Sequence, residues 1–162
     1  MRGVAPIQAA HADALGRLVG RRLTGAAVVQ FVEDDSWYAE CPVVLDFDGV
    51  QVEICHQKFD DLSITFNTID CGAPITGWEE SEFTPVWRFD DDRIIGYRDQ
   101  VLRRVALLEW RAPGDMADGM VAVEFTFAGG RFAIANGLDE NMIEVGERLP
   151  EYHGHVVASY DR

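Results

Sequence analysis

Lysine is almost absent from this chain. Of its 14 basic residues only Lys58 is a lysine, and they face 28 acidic residues, for a formal charge of −14. Such a field repels nucleic acid and anionic membranes and draws in cationic partners. Cysteine is scarce as well. Cys41, Cys55 and Cys71 are odd in number and show no C-x-x-C spacing, which argues against a disulfide framework and fits a reducing, cytoplasmic setting. No stretch approaches the roughly 18 apolar residues of a membrane span. The first residues, MRGVAPIQAAHADALG, lack the apolar centre of a signal peptide. Also missing are H-E-x-x-H, G-x-x-x-x-G-K-[ST], G-x-S-x-G and G-x-G-x-x-G, so no motif identifies a reaction, cofactor or metal.

What is present is material for a core. The 162 residues are 48% hydrophobic, enough for one domain spanning 1–162. Residues 7–16 predict a short helix after Pro6, with Ile7, Ala10, Ala14 and Leu18 at helical spacing. Alternation then dominates. In CPVVLDFDGVQVEIC (41–55), Val43, Leu45 and Phe47 share a face that Val50, Val52 and Ile54 resume after Asp48-Gly49, the strongest short hairpin signal. VAVEFTFAGGRFAIAN (121–136) repeats this with Gly129-Gly130 as the expected turn. Residues 62–69 and 85–89 read as strands, 100–110 as strand or helix, and 70–84 and 111–119 as loops.

The halves resemble one another. Val43, Leu45 and Phe47 match Val121, Val123 and Phe125; Gly49 matches Gly129; Val52 and Ile54 match Phe132 and Ile134. FDDLSI (59–64) matches LDENMI (138–143), and RLVG (17–20) echoes RIIG (93–96), at spacings of 76 to 80 positions. A duplication with units near 17–66 and 93–145 follows. The expected fold is β-rich: antiparallel sheets from two related units with a pseudo-two-fold, plus a short N-terminal helix. Asp139-Glu140 and Asp60-Asp61 then occupy equivalent corners, as turn-capping carboxylates and not as an acid pair.

Two constellations could carry chemistry. Pairing across the first hairpin sets Cys41 opposite His56, the start of a thiol–imidazole dyad, but no orienting third residue is evident. His153 and His155 share a face if 152–157 is extended, but lack the further ligands that zinc needs. The acids are more suggestive. Glu33, Asp34 and Asp35 precede Trp37; Glu79, Glu80 and Glu82 follow Trp78; Asp90, Asp91 and Asp92 follow Trp87. Aromatic anchors ringed by carboxylates suit a basic protein surface. A strand bearing glycine, a Trp-bearing acidic loop and an Asp-Gly hairpin together resemble small bacterial β-rich proteins, toxin-immunity proteins among them. That resemblance implies a non-catalytic binder whose acidic loops cover a basic toxin. A small-ligand-binding β-protein and a hydrolase using Cys41 and His56 are the alternatives.

Overall fold

The computed structural model describes residues 1–58 and 60–160. A helix, α1 (Val4–Gly16), precedes ten strands: β1 (Leu23–Phe31), β2 (Val43–Phe47), β3 (Val50–Gln57), β4 (Asp61–Phe66), β5 (Pro85–Arg88), β6 (Arg104–Trp110), β7 (Val121–Phe127), β8 (Gly130–Asn136), β9 (Asn141–Val145) and β10 (Tyr152–Ser159). They form two antiparallel five-stranded sheets. Sheet 1 has the order β4-β3-β2-β1-β5, and sheet 2 the order β10-β6-β7-β8-β9. Read from its other end, β9-β8-β7-β6-β10, the order of sheet 2 repeats that of sheet 1 strand for strand. Inward residues of both sheets, including Val43, Leu45, Phe47, Val52, Ile54, Val123, Phe125, Phe132 and Ile134, make one continuous buried core. Phe47 stacks on Phe125 across it at 5.6 Å.

The register fixes which residues correspond. Phe47 pairs with Val50, and Phe127 with Gly130. Val43, Leu45 and Phe47 therefore correspond to Val123, Phe125 and Phe127, two residues on from the pairing that the sequence suggests. Alternation has period two, so a two-residue slip keeps every side chain on its face and is invisible to pattern matching. The later matches hold: Ile54 pairs with Ile64 as Ile134 pairs with Ile143. Phe59, matched to Leu138, lies outside the described residues. In the first turn Asp48 and Gly49 both have positive φ, as the sequence requires. The second turn is centred on Ala128-Gly129, one residue earlier than expected, and Gly130 is already the first residue of β8.

A local two-fold relation joins the halves. Arg22 bridges Val101 in antiparallel fashion, and these two residues correspond. Gly20 N–H donates to Leu102 C=O, and Asp99 N–H to Leu23 C=O; Leu102 N–H donates to Arg21 C=O, and Leu23 N–H to Gln100 C=O. Replacing each residue by the one 79 positions away turns one bond of each pair into the other, so Gly20 answers to Asp99 and not, as the RLVG and RIIG echo suggests, to Gly96. Only a dyad through the Arg22–Val101 bridge has this property.

α1 begins three residues earlier than expected. Pro6 sits in its first turn, where its missing N–H costs nothing. Its buried residues are Ile7 and Leu15, with Leu18 just beyond. Ala10 is exposed, because an alanine stripe contributes too little area to define the packed face. α1 lies against β10 and β6. Residues 100–110 are a strand from Arg104 onward. Among the described residues no helix is long and apolar enough to cross a membrane.

Candidate functional site

The nine acids that the sequence singles out surround one edge of the molecule, the β1–β5 edge of sheet 1. β5 pairs with the last four residues of β1, Val28 with Arg88 through Phe31 with Pro85. Glu33–Asp35 lies in the turn leaving β1, and Asp90–Asp92 follows β5 after Phe89. Asp35, Asp90, Asp91 and Asp92 line one open depression of about 650 Å³, with Gln30, Arg88 and Arg93. Two of the three clusters therefore converge. The third, Glu79, Glu80 and Glu82, is exposed on the loop entering β5.

These carboxylates are not equivalent. Asp91 is buried. Burial raises its pKa, but two hydrogen bonds from the Arg93 side chain (2.9 and 2.5 Å), the Arg93 backbone N–H and the guanidinium charge hold it below the usual range. Glu33 accepts the Thr84 backbone N–H at 2.9 Å and ties the turn to β5. Asp34 caps Ser36 through both its N–H and hydroxyl, and Glu79 accepts the Gly77 N–H. Asp35, Glu80, Glu82, Asp90 and Asp92 are exposed and supply the outward field.

The tryptophans serve the scaffold. Trp37 belongs to the core margin and lies under the Arg93 guanidinium, 4.2 Å from its ring centre. This cation–π contact, together with Asp91, fixes the start of the segment after β5. Trp78 packs on Phe31 at 5.6 Å and on Tyr38 at 5.4 Å. Trp87 stands opposite Val29, half-buried. The exposed aromatics at this edge are Phe83 (45%) and Phe89 (57%). Neither attracts notice in the sequence, although each sits beside an acidic run.

The thiol–imidazole dyad does not form. His56 is buried, with Nδ1 3.0 Å from Asn141 Oδ1 and Nε2 3.0 Å from the Val121 carbonyl oxygen. Asn141 Oδ1 also accepts the His56 backbone N–H, and its Nδ2 donates to the Cys41 carbonyl. The ring thus joins β3 to sheet 2, with both nitrogens facing oxygen atoms of that sheet. Burial, with Cys55 and Glu40 nearby, pushes the Cys41 thiol up to about 11, so it stays protonated at neutral pH. His153 and His155 lie exposed on β10, and His155 Nε2 is 3.4 Å from Glu109. Among the described residues no group of three or more His, Cys, Asp or Glu side chains could hold a metal ion.

The Asp139-Glu140 corner is a turn, as expected, but the carboxylates are not its caps. Leu138 and Asp139 have positive φ. Asn136 Oδ1 accepts the Leu138 N–H, and Gly137 N–H donates to the Glu140 carbonyl. In the other half Asp60 pairs with Arg2, and Asp61 with the terminal amine.

A second concavity lies on the outer face of sheet 2. It has a volume of about 140 Å³ and is walled by Trp110, Met120, Met142, Leu149 and Tyr152, with Asn136 and Glu144 as polar members. Burial raises the Glu144 carboxyl, against a 2.9 Å hydrogen bond from Tyr152 Oη. The Trp110 Nε1–H is buried without a partner among the described residues.

Comparison of the chain with family models, curated proteins and solved structures finds no match.

Proposed function

We propose that this chain is a non-catalytic protein-binding module of the cytoplasm, which presents the acidic β1–β5 edge to a basic protein. The supporting observation is the convergence of Asp35 with Asp90, Asp91 and Asp92 in one open depression beside an edge strand. Exposed like charges held together repel one another and destabilise the domain unless a cation neutralises them. An edge strand also offers unpaired main-chain groups to an incoming chain. An immunity-type role, covering a basic toxin of bacterial origin, is the specific form of this reading. We read the two β-units as an internal duplication within one domain, which their shared strand order supports.

The test is the association rate with an arginine-rich peptide across a salt series. The field reaches only about 8 Å at 0.15 M salt, so the on-rate should fall steeply with salt. Asp35→Asn with Asp90→Asn and Asp92→Asn should slow association more than it speeds dissociation. Association indifferent both to salt and to these three acids refutes the proposal.

A small-ligand reading is favoured by one separate observation, the partnerless Trp110 Nε1–H at the apolar concavity of sheet 2. A ligand there needs an acceptor for this N–H and an apolar body of a few atoms. Quenching or shift of tryptophan fluorescence by small ketones or amides, lost in Trp110→Phe, would support it; an unchanged spectrum would remove it.

A further inference from the structure

Equivalent strands β1 and β6 are flanked unequally. β10 runs beside the whole of β6, from Tyr152 opposite Trp110 to Ser159 opposite Arg104. β5 covers only Val28–Phe31 of β1. By the register of β1 on β2 and of β6 on β7, Gly25, Ala26 and Ala27 correspond to Arg104, Val105 and Ala106. In sheet 2 those three have Ser159, Ala158 and Val156 beside them. In sheet 1, among the described residues, no strand lies beside Gly25–Ala27, because β5 ends at Arg88.

The backbone at this open edge points the right way. Val29 C=O accepts Tyr38 N–H, and Phe31 N–H donates to Ser36 C=O, both on the β2 side of β1. Hydrogen-bonding direction alternates along a strand, so Ala26 turns its N–H and C=O toward the open edge. Its counterpart Val105 turns the same groups toward β10. A cavity of about 330 Å³ opens on the outer side of this edge, lined by Gly25, Ala26, Ala27, Asp46, Cys71 and Phe89 among others. A smaller cleft on the other side is lined by Ala26, Phe89, Asp91, Ile94 and Arg98 among others. Ala26 and Phe89 border both.

We infer that the open half of β1 is a strand-addition slot: it takes an extended, basic peptide segment of a partner protein in the seat that Val156–Ser159 fills in sheet 2. The inference rests on the acidic-edge reading and adds the mode of docking. Main-chain bonds to Ala26 would supply affinity, and alternate side chains would supply specificity. Side chains stand roughly perpendicular to the sheet, so a chain can approach Gly25–Ala27 at the ordinary strand spacing of about 4.8 Å, as β10 approaches Arg104–Ala106. Basic character follows from what surrounds the slot. Asp46 borders the outer cavity and Asp91 the inner cleft, while Asp90 and Asp92 are exposed where the chain leaves β5. Of the facing cations, Arg93 is already held by Asp91; Arg88 and Arg98 leave the carboxylates in excess. Phe89 is placed to close over the added strand.

The probe is a synthetic peptide of alternating arginine and valine, and a twin N-methylated at alternate backbone nitrogens. Both are titrated into the ¹⁵N-labelled full chain. The expected result is amide exchange at Ala26 slowed by about tenfold or more, and binding at least about tenfold weaker for the methylated twin, the equivalent of losing about 1.4 kcal/mol. Equal binding of both peptides, with shifts confined to Asp35, Asp90 and Asp92, would overturn the slot and leave the acidic-edge reading standing. No binding of either peptide would overturn both. Concentration-dependent protection of Ala26 without peptide would assign the seat to a second copy of this chain and overturn the basic partner.

Discussion

Sheet 1 and sheet 2 each bury one carboxylate on the outer face, at the same cross-strand pair but on opposite members of it. In sheet 1 Val44 pairs with Glu53; at the corresponding place in sheet 2 Glu124 pairs with Ala133. Glu53 is surrounded by neutral donors. It accepts the Thr68 and Ile69 backbone N–H groups, the Thr65 and Thr68 hydroxyls and the Gln51 amide. Burial raises its pKa, but these bonds outweigh burial and lower it. Glu124 is surrounded by cations: Arg131 at 2.9 Å, Arg148 at 2.5 Å and Arg104 at 3.8 Å. The inner faces share one core and are held to a common pattern. The outer faces are free to recruit different covers: the loop after β4 in sheet 1, and the segment around Arg148 in sheet 2.

This difference should appear as two kinds of failure. Glu124→Ala leaves three arginines around an empty centre. Breaking a buried ion pair from one side typically costs about 3–5 kcal/mol, so a global loss of that size is expected in urea melts. Glu53→Ala orphans two loop N–H groups but leaves no unpaired charge, and about 2–3 kcal/mol is expected. Its distinguishing sign is limited proteolysis within 67–84 under conditions where Glu124→Ala is cut no faster there. If both variants open the same segment, the two covers are not independent.

The pH response sharpens the comparison. His56 corresponds to Asn136 in the second half, so only sheet 1 inserts an imidazole at this end. Burial lowers the His56 pKa, against hydrogen bonds to Val121 and Asn141. With a depressed folded pKa, the unfolded chain binds the proton first. Stability is therefore complete above about pH 6.5 and falls as pH drops below it, by at most about 1.4 kcal/mol per pH unit. His56→Asn should flatten this slope in thermal melts between pH 5 and pH 7, whatever its own stability; an unchanged slope assigns the titration elsewhere. The smallest effect belongs to the corner. Asp139→Asn with Glu140→Gln should stay within about 0.5 kcal/mol, because Asn136 provides the cap. A loss above about 1 kcal/mol would restore the carboxylates as structural groups.

Much of the fold can be read from the chain because β2–β3 and β7–β8 announce themselves by alternation and turn glycines. β1 does not. In LTGAAVVQF the centre is small, and Ala27, Val28 and Val29 are all buried, so neither face is polar and period two vanishes. β10 is exposed over much of its length and carries Gly154 across which Arg148 runs to Glu124; as an edge strand it needs no apolar stripe. Without β1 and β10 the inequality of the two edges cannot be seen, and the slot lies there. The acid clusters are legible as composition. Which acids are free is not, since Asp91 is claimed by Arg93 and Trp37 by the core only through the fold. Glu53 and Glu124 sit at the polar positions of alternating strands, where sequence suggests solvent; the groups that cover them, such as Thr68 and Arg148, reach them only through the fold.

The unequal edges are most directly tested by native-state amide exchange in the free protein, comparing Ala26 with its counterpart Val105. The Val105 N–H is bonded to β10, and the Ala26 N–H faces an open edge. Val105 is expected to exchange at least about a hundredfold more slowly, a difference of about 2.7 kcal/mol in opening free energy. Equal protection of the two amides would show that the β1 edge is already covered, and would contradict the open slot.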